Sequence, residues 1–114
     1  MPDRACQTSL ANAALAALAI CLFAGSARAE ADNVQRGREL ARANCARCHS
    51  IERTGESPFK PAPPFRMLHQ RYPVEYLEEA LAEGIVTGHS DMPEFRLEPD
   101  QIADFIDFLK SLEE

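Results

Sequence analysis

Five consecutive residues, Cys45-Ala46-Arg47-Cys48-His49, constrain this chain more than any other stretch. They place two thiols one helical turn apart, with an imidazole directly after the second. That pattern suits covalent haem capture: each thiol adds to a porphyrin vinyl group, and His49 offers a nitrogen to the iron. The competing readings need things the chain lacks. A zinc site wants four ligands, and beyond residue 29 only His69 and His89 remain as further His or Cys donors, at unhelpful spacing. A thioredoxin-like redox pair needs a βαβ setting, and a structural disulfide has no use for the histidine.

At 114 residues the chain forms one small domain at most. Its opening reads as a secretory signal peptide over residues 1–29. Arg4 lies in a short polar start, residues 13–23 are an apolar run, and Ala27-Arg28-Ala29 offers the small side chains a signal peptidase accepts. The apolar run is shorter than the roughly 20 residues that span a bilayer. Cleavage after Ala29 leaves a second region, 30–114, of 85 residues whose only cysteines are Cys45 and Cys48. So short a chain builds a thin core and usually needs a staple. A haem bonded through two thioethers is such a staple.

Charge is uneven. The whole chain carries −6, but residues 30–71 sum to +3 and residues 72–114 to −10. An acidic total argues against nucleic-acid binding. The asymmetry could orient the protein toward a charged partner, but a solvated acidic face is the simpler reading.

Three helical segments are expected. Asp32 is placed to cap a first helix running from Asn33 toward the pentad, with Val34, Leu40 and Ala41 as its apolar stripe. Gly37 falls on that side and costs about 1 kcal/mol in a helix relative to alanine, so it implies close approach of another element. After His49 periodicity is lost. Pro61-Ala62-Pro63-Pro64 cannot be helix interior, and one of its carbonyls could accept the other N–H of His49. Tyr72-Pro73 opens a second helix ending at Gly84, with Tyr76, Leu77, Ala80 and Leu81 facing inward. A loop over residues 85–96 follows. Pro99 then opens the last helix, where Ile102, Phe105, Ile106, Leu109 and Leu112 recur at helical spacing. Met67 reads as core beside Phe65 and Leu68, and His69 as exposed.

The order of helix, C-x-x-C-H, proline segment, helix, Met-Pro loop and aromatic-rich final helix resembles class I monohaem cytochrome c over the whole of residues 30–114. The resemblance implies an all-α cytochrome c fold, with about three main helices around one covalently bound haem c. It implies Cys45 and Cys48 as attachment points and His49 and Met92 as axial iron ligands. Pro63 matches the proline whose carbonyl orients the histidine, with Pro64 as its neighbouring alternative. Gly37 matches a close-contact glycine where the first and last helices cross, opposite Phe105 and Phe108. The chain departs from the family in having no tryptophan, which leaves Arg66, Arg71 and Tyr72 as candidates for the haem propionates.

The residues support Met92 on their own account. It lies in a loop after a glycine cap, and a thioether favours ferrous iron and raises the potential. His89 and Met67 are the competitors. With both iron faces filled, no position is open to a substrate. The expected protein is therefore a non-enzymatic periplasmic electron carrier, a monomer meeting redox protein partners, with no membrane span once the signal is removed. The alternatives are a gas-binding or sensing haem protein, or a haem subunit of a larger oxidoreductase complex.

Overall fold

The computed structural model describes residues 25–84 and 91–113. The chain divides into two compact units, Met1–Ala31 and Asp32–Glu114. In the first unit residues 25–31 are helical and exposed; the apolar run at 13–23 lies outside the described residues, as does His89. No described helix is long and apolar enough to cross a membrane.

The second unit is all-α, with no strand among the described residues. Helix α1 takes residues 32–44. Asp32 does not cap it: the residues before it, Ala27, Arg28, Ala29, Glu30 and Ala31, are themselves helical. All of them are compatible with helix and none is a breaker, so nothing there stops the helix. Two short 3-10 helices follow, Phe65–Gln70 and Val74–Tyr76, then α2, Leu77–Glu83, and α3, Pro99–Ser111. Gly84 closes α2 in the left-handed conformation at φ 82°, and its N–H bonds the Ala80 carbonyl at 3.1 Å. At the start of α3 the Gln101 side chain accepts from the Glu98 backbone N–H at 3.1 Å.

The core forms where α1 and α3 meet. A β-carbon on Gly37 would collide with the Asp104 carbonyl and come within 2.7 Å of the Phe108 side chain. The glycine is what lets the two backbones come this close. Ala41 and Phe108 are both 0% exposed beside it. Arg36 grips the Asp104 carboxylate with two of its nitrogens, Nε and Nη2, at 2.6 and 2.9 Å, and Asn33 donates to Asp107 at 3.1 Å.

Several side chains depart from the sequence reading where 3-10 helices form: residues 65–70, expected to be irregular, wind into one, and the start of the expected second helix is 3-10 and not α. In Phe65–Gln70 residues three apart share a face, so Phe65 and Leu68 are buried while Met67 is turned out and 39% exposed. Over Val74–Tyr76 the same tightening buries Val74 and leaves Tyr76 73% exposed. His69, expected on the surface, is half-buried, and its Nδ1 is buried with no hydrogen-bond partner among the described residues.

Candidate functional site

The pentad leaves α1 through a tight turn. Cys45 and Ala46 N–H both bond the Ala41 carbonyl, at 2.8 and 3.0 Å, and Cys48 and His49 N–H both return to the Cys45 carbonyl, at 3.0 and 2.9 Å. This turn holds the two cysteines close together and projects His49 after them. Burial pushes the Cys45 thiol up from 9.0 to about 11. A redox-active or metal-thiolate cysteine is favoured by the opposite shift, so Cys45 has the character of a neutral thiol in an apolar wall.

His49 is aimed by the proline segment. Its Nδ1 lies 2.8 Å from the Pro63 carbonyl. A carbonyl only accepts, so Nδ1 carries the proton and Nε2 keeps its lone pair for something else. Pro64 instead takes the N–H of Met67 on its carbonyl, at 3.0 Å, which starts the 3-10 helix. The Phe65 N–H returns to the Ser50 carbonyl at 2.9 Å, folding the segment back onto the residue after His49.

These elements surround an open cleft of about 1080 Å3, a volume that includes solvent space at its mouth. Cys45, His49, Pro63 and Met92 all line it, brought together from segments far apart in sequence. Cys48 sits half-buried in the same turn but is not one of the lining residues. Phe65, Leu68, Leu77, Leu81, Leu97 and Phe105 make most of the apolar wall. Arg71 is its only charged lining residue among the described residues, beside Tyr72, whose phenol burial pushes up while Arg71 pulls it back. Arg66 is engaged elsewhere, reaching the Ser50 hydroxyl and the Glu52 carbonyl at 3.4 Å each.

An occupant that fits this space is large and mainly apolar, and lies against thiol, imidazole and thioether at once. A haem meets all three conditions. A bare metal ion does not: among the described residues no three His, Cys, Asp or Glu side chains converge. Three lining residues, Asn44, Phe95 and Leu97, are not singled out by any sequence pattern. Phe95 carries the best signal, as an aromatic residue in a stretch otherwise rich in charge. No periodicity marks it, because residues 93–98 are irregular.

A sequence model of the family described as Cytochrome c matches residues 34–113. No curated protein and no solved structure matches the chain.

Proposed function

The chain belongs to the cytochrome c family, whose role is haem-binding electron transfer without substrate turnover, and on that premise we propose a one-electron carrier in which His49 and Met92 would hold the haem iron. Cys45 and Cys48 attach the haem covalently, one haem c per chain. When bound, the haem supplies a ferric–ferrous couple that takes up and releases a single electron. The observation that carries the reading is the convergence of Cys45, His49 and Met92 on one apolar cleft. Pro63 fixes the His49 tautomer, so that Nε2 is the ligating atom. The Met92 thioether favours the reduced state and raises the potential. The apolar wall excludes water, which lowers the local dielectric around the couple. Arg71, with Tyr72, provides positive charge and a hydroxyl donor for a propionate.

The protein works in the periplasm, with residues 1–29 removed as a signal peptide and residues 30–114 as the functional domain. It acts as a monomer that exchanges electrons with redox protein partners. The intact mass of exported protein should equal residues 30–114 plus one haem, and a mass retaining residues 1–29 would refute the cleavage site.

Methionine ligation is tested by spectroscopy of the holoprotein. Wild type should be six-coordinate and low-spin, with a weak near-infrared iron–sulfur band in the ferric state, and should bind carbon monoxide slowly or not at all when reduced. Met92→Ala should lose the band, lower the potential and admit carbon monoxide readily, while Met67→Ala should do none of these. Rapid carbon monoxide binding by wild type would favour a gas-binding protein instead.

A further inference from the structure

His49 is held at two points, not one. Its Nδ1 meets the Pro63 carbonyl at 2.8 Å, and its ring packs against Phe65 with centroids 4.9 Å apart and planes tilted by 37°. A hydrogen bond lying in the ring plane fixes where the imidazole points. It resists less well a rocking of the ring about the N–H···O axis. A second ring packed against the first opposes that rocking.

Phe65 is itself held. Its N–H is tied to the Ser50 carbonyl at 2.9 Å, only 6% of its surface is exposed, and its ring meets Phe105 edge-on with centroids 5.8 Å apart and planes at 81°. Edge-to-face contact is a preferred arrangement for two aromatic quadrupoles, and it defines an orientation that aliphatic packing would leave loose. Phe105 belongs to α3 and lines the same cleft. A chain of three rings thus runs from the final helix to the imidazole.

We propose that Phe65 is a positioning residue for His49: its ring fixes the rotation of the imidazole, and Phe105 fixes Phe65. The proposal rests on the assignment of His49 as an iron ligand. It gives α3 a second role beyond closing the core. The final helix sets the plane of the proximal ligand, so that the ligand moves little as the electron arrives and leaves.

The alternative, that Phe65 is ordinary core, makes a different prediction. Imidazole orientation governs the rhombicity of the low-spin ferric electron paramagnetic resonance signal and the spread of the haem methyl shifts in proton nuclear magnetic resonance. Loss of packing alone lowers the melting temperature without moving either. Holoprotein should therefore be compared as wild type, Phe65→Leu, Phe65→Tyr, Phe105→Leu and Phe108→Leu. Phe65→Leu should shift the methyl pattern and the rhombicity while staying six-coordinate, and Phe65→Tyr should keep the wild-type pattern. Phe105→Leu should shift it in the same direction but less. Phe108→Leu, fully buried on the same helix, should lower the melting temperature and leave the pattern alone.

The proposal is overturned if Phe65→Leu melts lower with a wild-type pattern, or if Phe108→Leu moves the pattern as far. Should Phe65→Leu fail to yield holoprotein, Phe105→Leu against Phe108→Leu decides by the same criterion. A wild type that is not six-coordinate and low-spin removes the ligand assignment itself, and the proposal with it. A low-spin wild type with an unmoved Phe65→Leu pattern removes the proposal alone.

Discussion

The α1–α3 crossing and the α2 side of the cleft are built on opposite principles. At the crossing, protein packs directly on protein. Gly37 admits the Asp104 backbone, Ala41 and Phe108 are sealed, and Arg36 holds Asp104 with two nitrogens. Across the cleft, α2 buries only Ala80 among its seven residues, while Leu77 and Leu81 line open space. That side is tied down mainly through backbone. Leu97 N–H bonds the Leu81 carbonyl at 2.9 Å, and Arg96 reaches the Glu83 carbonyl at the end of α2, at 3.1 Å. The crossing is finished by the chain itself. The α2 side has apolar residues arranged around a space another molecule must fill, and this is how a short chain acquires a core it cannot build alone.

The largest expected effect follows from that contrast. Replacing both Cys45 and Cys48 with alanine should abolish covalent haem, so that acid-acetone extraction leaves no pigment with the polypeptide. It should also cost the protein its cooperative fold, because the α2 side then has nothing to pack on. A sharp thermal transition in the haem-free variant, seen by far-ultraviolet circular dichroism, would show that α2 is more self-sufficient than its burial implies.

The next test attacks the crossing. Gly37→Val places branched carbons where the Asp104 carbonyl already lies. The obstacle is backbone, so the helices must separate and cannot merely re-rotamer. Overpacking of this kind costs roughly 1–3 kcal/mol and sometimes more, and the upper end is expected here. Chemical denaturation of the holoprotein should show it, with the near-infrared iron–sulfur band retained. Loss of that band at native stability would mean that the crossing supports the cleft more than itself. By contrast Met67→Ala should stay within about 0.5 kcal/mol, as surface changes usually do, because Met67 is turned outward.

The two sides also differ in how far the sequence reveals them. The crossing is legible because a glycine inside a helix is costly unless another backbone lies against it, and because α3 carries a regular apolar stripe. The pentad is legible because its chemistry is specific. Met67, His69 and Tyr76 sit away from their expected places because the segments around them wind as 3-10 helix: residues 65–70, expected to be irregular, acquire a buried face at every third residue, and Tyr76 is turned off the α position expected of it. Nothing local in the sequence announces that choice. The Pro63 contact lies between these extremes. A rigid proline segment after a histidine implies a carbonyl partner, but only the turn at Ser50 and Phe65 determines which proline presents it.

The smallest effect expected belongs to the ion pair that joins the 3-10 helix before α2 to α3. Lys110 meets Glu75 at 2.8 Å, both about half exposed. The hydrogen bond from Lys110 lowers the Glu75 carboxyl from its ordinary 4.5, and the same bond raises the Lys110 ammonium from its ordinary 10.5. The signs fix the window. Glu75 contributes above its ordinary value and loses that contribution as pH falls through the lowered one. Lys110 contributes below its ordinary value and loses it as pH rises through the raised one. The pair should therefore stabilise the holoprotein in full between about pH 4.5 and 10.5, and fade below as Glu75 protonates and above as Lys110 loses its proton. A double-mutant cycle with Glu75→Gln and Lys110→Met should find a coupling that is weak at low salt and vanishes as salt screens it. The same cycle with Arg36→Gln and Asp104→Asn should find a larger coupling, because two guanidinium nitrogens are used and the Asp104 side chain is only 14% exposed. If the exposed pair proved the stronger, α2 would be anchored by charge as firmly as α1 is by packing, and the contrast between the two sides would have to be given up.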